Sequence, residues 1–233
     1  MPEETFKISD AEALYKTMHS SNTAYMENNQ GIKVACDWLH LVRDTRGEIH
    51  NPWSDKPIKI LELGCGNGKL CNFLSEMDLD VTGVDIALAP AVYDRSKYKF
   101  IKHDLTEFPY PFEDNEFDYC LNFDVMEHLP EDKVIGVLKE MARISRGIIV
   151  KIACSGKPPL HITVKSPGWW LNQLIVSCPD FSWQLLRNCE RVCQFTDDTS
   201  YCLNEFSDIR PIKDEDCHIV YAPLFYGKRG VIA

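Results

Sequence analysis

Short apolar runs alternate along the chain with segments of helical period. Ile58-Lys59-Ile60-Leu61-Glu62-Leu63 reads as a buried strand. Lys69 to Met77 then sets Leu70, Phe73, Leu74 and Met77 at helical spacing. Asp80 to Ile86, Tyr98 to Leu105 and Phe117 to Phe123 read as the next three strands. Pro130-Glu131-Asp132 opens a helix whose buried side is Val134, Ile135, Leu138, Met141 and Ile144. Gly147 to Ala153 is a fifth strand. Such alternation predicts a doubly wound α/β fold, a mostly parallel sheet with helices on both faces.

The flanks are less regular. Residues 9–46 read as helical, with Ala13, Leu14, Thr17 and Met18 on one face and Ile32, Ala35, Cys36, Leu39 and Val42 on a second. Gly47, Pro52 and Pro57 mark a polar link. The expected division is therefore an N-terminal helical cap with linker, 1–57, and a main domain, 58–233. Past the fifth strand, Pro167 reads as the first residue of a helix with Trp170, Leu171 and Leu174 on its face. Phe181 to Val192 is read as a sixth strand with its turn, and Cys217 to Tyr226 as a seventh.

The first strand gives way to Gly64, Gly66 and Gly68 before the helix. Glycine permits positive φ and lets a ligand approach the backbone. The helix behind offers its unpaired N–H groups. A dinucleotide fingerprint requires a third glycine at position 69, where Lys69 stands, which argues against a dehydrogenase. The next two strands each run into an acid, Asp85 and Asp104. A carboxylate at the tip of the second strand suits both hydroxyls of a ribose.

Glu62-Leu63-Gly64-Cys65-Gly66-Asn67-Gly68, then Gly83-Val84-Asp85, His103-Asp104-Leu105 and Asn122-Phe123-Asp124-Val125-Met126-Glu127-His128-Leu129, resembles the class I S-adenosylmethionine-dependent methyltransferase family, its type 11 or ubiE-like branch above all. The resemblance covers about residues 55–153. It implies a Rossmann-like seven-stranded sheet with the last strand antiparallel, and S-adenosyl-L-methionine as cofactor. It places Gly64, Gly66 and Gly68 around the methionine part and Asp85 at the ribose hydroxyls, and Glu62, Cys65 and Ile86 are counted with the cofactor-binding residues. Asp104 and Leu105 flank the adenine, and Asn122 and Phe123 stand beside the cofactor. N-terminal helices of the family enclose the cofactor, which makes Tyr15 and His19 candidates for a lid.

Methyl transfer from a sulfonium is an in-line displacement, so alignment counts most. A general base adds about 10²–10⁴-fold where the acceptor must lose a proton. His161, Asp124 and His128 are the candidates for base or substrate positioner. The segment about 154–176, with its His161-Ile162-Thr163-Val164-Lys165 string, is read as the substrate side.

The net charge of −10 argues against a phosphate-backbone substrate. So does the absence of an Asn/Asp-Pro-Pro-Tyr motif after the fourth strand. A small-molecule or sugar-like, glycan-like acceptor, methylated on oxygen or nitrogen, is expected. A scaffold subunit without its own turnover, and a nucleic-acid or protein methyltransferase, are the alternatives. No apolar run approaches the ~20 residues of a membrane helix. The first ten residues are acidic and polar, so a cytoplasmic protein is expected. The ten cysteines are then read as reduced, and Cys178, Cys189, Cys193, Cys202, Cys217 and His218 offer only one loose metal-type pair, Cys189 with Cys193, so no metal site is predicted.

Overall fold

The computed structural model describes residues 12, 13, 16, 32, 35, 39, 49–87, 95–154, 161–186 and 224–229. Seven strands form one sheet, in the order β3-β2-β1-β4-β5-β7-β6. The chain divides into two compact units, residues 1–105 and 106–233.

The first unit holds β1 (Lys59–Leu63), α1 (Lys69–Ser75), β2 (Asp80–Asp85) and β3 (Lys99–Lys102). The strands run parallel, with Leu63 opposite Val84 and Asp85 opposite Lys102. After its first residue each of β1 and β2 is buried throughout, as a two-sided parallel sheet requires. Ile60, Leu61 and Leu63 are almost inaccessible, each contributing about 1.5–3 kcal/mol of burial. α1 is shorter than its sequence period predicts. It buries Leu70, Cys71 and Leu74, while Met77 lies beyond the Glu76 cap. A 3-10 turn, Arg95–Lys97, leads to β3.

Of the expected N-terminal helices, Glu12, Ala13, Lys16, Ile32, Ala35 and Leu39 are described, and all are helical. Ala35 and Leu39 are buried. Glu12 pairs with Lys16 at 2.8 Å and with Lys102 at the end of β3 at 2.5 Å. Tyr15 and His19 lie outside the described residues.

The second unit holds β4 (Phe117–Phe123), α2 (Glu131–Ile144), β5 (Ser145–Lys151), α3 (Pro167–Ser177), β6 (Phe181–Leu186) and β7 (Leu224–Arg229). β4 and β5 are parallel; β7 runs antiparallel to both β5 and β6. α2 buries Val134, Val137, Leu138, Met141 and Ile144. Val137 takes the place expected of Ile135, which is 43% exposed. β5 starts at Ser145, earlier than predicted. The Ser145 hydroxyl donates to Met141 O at 2.7 Å, satisfying a helix-end carbonyl, so the chain enters the strand with no loop.

α3 starts at Pro167 as predicted, and the Ser166 hydroxyl caps it by accepting the Trp169 N–H at 3.2 Å. Trp170 is fully buried and meets Trp169 edge-on, so it belongs to the core. β7 is shifted toward the C-terminus of the run expected to form it. Gly227, which reads as a breaker, sits inside the strand because a Cβ there would lie 2.7 Å from the Trp183 ring. Arg229 then anchors the strand end to the Asn115 side chain and the Ala142 carbonyl.

Candidate functional site

In the first unit the turn after β1 is built on three residues of positive φ: Gly64 at 79°, Gly66 at 53° and Gly68 at 79°. An L side chain in this region costs roughly 1–2 kcal/mol. The turn is tied to the tip of β2. The N–H groups of Gly64 and Cys65 both donate to Val84 O, at 2.7 and 2.9 Å. The Gly66 N–H donates to Asp85 Oδ2 at 2.8 Å, and the Ala87 N–H to Asp85 Oδ1 at 2.9 Å. Asp85 thus brackets the glycine turn against its own strand end. Its main-chain carbonyl accepts the His103 N–H at 3.0 Å, which fixes the segment carrying Asp104 and Leu105. Gly64, Cys65, Gly66 and Asp85 are therefore tied to one another through the end of β2.

The glycines differ in what they admit. Gly64 and Gly66 are partly exposed, whereas Gly68 is buried. A Cβ on Gly68 would stand 1.8 Å from Tyr98 Oη, so this glycine makes room for a tyrosine.

Beneath the turn lies a dry floor. Glu62 is 7% exposed, and the Cys71 thiol donates to its Oε2 at 2.9 Å. Burial raises the Glu62 carboxyl to about 8, opposed by the Cys71 hydrogen bond and reinforced by the charge of Asp85. The Cys71 thiol is also pushed well up by burial. Gly83 is required here, since a Cβ would lie 2.7 Å from Cys71 Sγ and 2.9 Å from Cys65 Sγ.

The second unit carries a separate cluster at the carboxyl ends of β4 and β5. Asn122 is fully buried and Phe123 half-buried. Asp124 adopts φ 55°, and its N–H donates to Lys151 O at 2.9 Å. Lys151 is 3% exposed; its Nζ donates to both Asp124 oxygens, at 2.8 and 2.6 Å. A 3-10 turn, Met126–His128, follows. The carbonyl of Glu127 accepts the N–H groups of Ile162 and Thr163, both at 3.0 Å, and Thr163 Oγ1 donates to Leu129 O at 2.6 Å. These bonds carry His161 to His128, with ring centroids 4.8 Å apart and planes at 85°.

Glu127 is fully buried, and neither carboxylate oxygen has a well-formed hydrogen bond. Burial, then the charge of Asp124, pushes its carboxyl well above the usual range, opposed by the backbone N–H groups of Glu127 and Ala153 and by Lys151. His128 Nε2 lies 4.0 Å from Glu127 Oε1.

Of the three acceptor-side candidates, His128 and His161 come together, and Asp124 turns to Lys151. Lys151 and Glu127 escaped the sequence reading. A lone lysine closing the apolar run Gly147-Ile148-Ile149-Val150 was the available signal for the first. For Glu127 there was none, because its main-chain carbonyl is met by the distant residues Ile162 and Thr163.

Residues 60–147 match a family model described as a methyltransferase domain. A ubiquinone biosynthesis O-methyltransferase from Maricaulis maris (strain MCS10) is 28% identical over 144 residues, 55% of this chain. The match spans about half of that relative's length, 52%. Among solved structures, the 1,6-didemethyltoxoflavin-N1-methyltransferase of Burkholderia thailandensis, with bound 1,6-didemethyltoxoflavin and S-adenosylhomocysteine, superposes with a TM-score of 0.64 at 12% identity. The superposition covers 99% of this chain and 94% of that one. The [4+2]-cyclase SpnF gives 0.59 at 14% identity, covering 95% of this chain and 96% of that one. At these identities the likeness is one of fold, and the cyclase shows that this fold hosts more than one reaction.

Proposed function

We propose that the chain is a class I S-adenosylmethionine-dependent methyltransferase, and that it moves a methyl group from S-adenosyl-L-methionine to an oxygen or nitrogen of a small-molecule or sugar-like acceptor. The observation that carries the reading is the turn Gly64–Gly68, held on the Asp85 carboxylate within the matched domain. The residues fit the cofactor chemically. Two part-exposed glycines of positive φ offer backbone without side chain, and the Asp85 carboxylate at the end of β2 is an acceptor of the kind that ribose hydroxyls suit. When bound, S-adenosylmethionine supplies an electrophilic methyl group on a sulfonium.

In this reading Gly64, Gly66 and Gly68, with Glu62 and Cys65 beneath them, shape the methionine seat. Asp85 and Ile86 hold the ribose, and Asp104 with Leu105 flanks the adenine. The family pattern assigns Asn122 and Phe123 to the cofactor as well. His161, His128 and Asp124 are assigned to the acceptor, to position it or take its proton. Residues 1–57 act as a cap, and the segment about 154–176 meets the substrate. A methyl acceptor of this size agrees with the −10 charge.

Calorimetry with S-adenosylmethionine tests the cofactor half. Asp85→Asn keeps the shape and removes the charge, and it weakens binding by roughly 1.5–3 kcal/mol for lost charge-assisted bonds. Unchanged affinity removes Asp85 from the site. A labelled-methyl screen over metabolite pools tests turnover. Binding without transfer to any pool overturns the enzyme reading in favour of a cofactor-binding subunit.

A further inference from the structure

We propose that Glu127, His128 and His161 bind a divalent transition-metal ion. Each offers one ligand atom, and these atoms all lie within 4.8 Å of one another. Metal–nitrogen and metal–oxygen bonds of about 2.0–2.2 Å at tetrahedral angles place ligand atoms roughly 3.3–3.6 Å apart. Glu127 Oε1 and His128 Nε2 stand at 4.0 Å, so small side-chain rotations close the set.

The state of Glu127 is the second, independent observation. Its side chain is wholly buried, and beyond the backbone N–H groups of Glu127 and Ala153 that face it, neither oxygen has a well-formed hydrogen bond. A buried carboxyl with only weak backbone contacts is costly to keep, charged or neutral. A cation on its inner oxygen, flanked by two imidazoles, removes that cost. The nearby ammonium of Lys151 is held by both oxygens of Asp124, so its charge is balanced beside the site.

The backbone holds the set together. Ile162 and Thr163 donate to the Glu127 carbonyl, and the Thr163 hydroxyl to Leu129 O, fixing the loop that carries His161 against the turn that carries the other two. Two imidazoles and one carboxylate suit zinc, iron, cobalt or manganese better than the all-oxygen shells of magnesium or calcium. Three protein ligands leave a position open for water or a substrate oxygen. Resting on the methyltransferase reading, that position receives a hydroxyl of the acceptor and lowers its proton affinity. The binding of the ion does not depend on that reading.

The test uses the full chain, stripped with a chelator and desalted, then titrated with Co(II) and Zn(II) by calorimetry and visible absorption. One ion per chain is expected, without the thiolate charge-transfer bands of a cysteine site. Glu127→Gln, which preserves shape, and His161→Ala each weaken binding by at least ~10-fold, the lower end of what even outer-shell changes cost. Circular dichroism and S-adenosylmethionine affinity confirm that both variants are folded. No uptake by the wild-type chain, equal uptake by both variants, or a thiolate signature overturns the site. Loss of cofactor binding in the wild type would sink the methyltransferase reading while leaving the metal result standing.

Discussion

His161 stands edge-on to His128, 4.8 Å between ring centroids, because the chain after it is hydrogen-bonded to the carbonyl of Glu127. Neither imidazole is placed by its own helix or strand alone. Under the proposed function, His161→Ala removes a group that positions the acceptor or takes its proton. The expected outcome is a fall in methyl-transfer rate of about 10²–10⁴-fold, with affinity for S-adenosylmethionine changed by less than about twofold. Parallel losses in both quantities, measured by single-turnover transfer and calorimetry, would assign His161 a structural role.

The Asp124–Lys151 pair predicts an asymmetry in stability. Lys151 is the buried partner, at 3% exposure, while the Asp124 side chain is 32% exposed. Removing the carboxylate leaves a buried ammonium without its counter-charge; removing the ammonium leaves a carboxylate that water reaches. Asp124→Asn, which tolerates the positive φ, should cost about 3–5 kcal/mol. Lys151→Met should cost clearly less. Urea unfolding of the two variants decides it, and equal losses would mean that the burial of Lys151 does not govern the pair.

The elements that were legible in the sequence are those set by local chemistry. The strand–glycine–helix run at 58–75, the proline start of α3 and the parallel alternation follow from residue type and spacing. So do the acids at the strand tips. What stayed hidden depends on partners far along the chain. Gly227 reads as a breaker until Trp183 is seen against it, and Gly68 reads as an open cradle until Tyr98 is seen to fill the space. Glu127 reads only as part of the turn after the fourth strand, and the bonds that Ile162 and Thr163 make to its carbonyl come from far along the chain. On α2, Ile135 and Val137 are both apolar, and the helix period alone leaves open which one faces the sheet.

Gly68 supplies a prediction of its own. Its φ of 79° and the 1.8 Å approach of Tyr98 Oη both oppose a side chain. Gly68→Ala should lose about 1–2 kcal/mol to backbone strain and about 1–3 kcal/mol to overpacking. The two shares separate in a double-mutant cycle with Tyr98→Ala, since only the packing share couples to the ring. Thermal unfolding of the four proteins measures the coupling. A cycle that closes with no coupling would show that the tyrosine does not occupy the space over Gly68.

Glu62 predicts a pH dependence of stability with a definite sign. Its carboxyl is raised to about 8 in the folded chain, chiefly by burial, against a value of 4.5 for an ordinary glutamate. Between these values the folded state holds the proton and the unfolded state does not. Folding then weakens as pH rises, by about 1.4 kcal/mol per pH unit, through the window from about 4.5 to about 8. Below the window both states are protonated, and above it both are ionised, so the effect levels off. Glu62→Gln keeps an oxygen for the Cys71 thiol and removes the titration. Urea midpoints of wild type and variant should diverge steadily from pH 5 to pH 8 in favour of the variant. All other titrating groups cancel in that difference. Parallel curves would show that Glu62 is already ionised in the folded protein at pH 5, and that the floor under the glycine turn is wetter than its burial indicates.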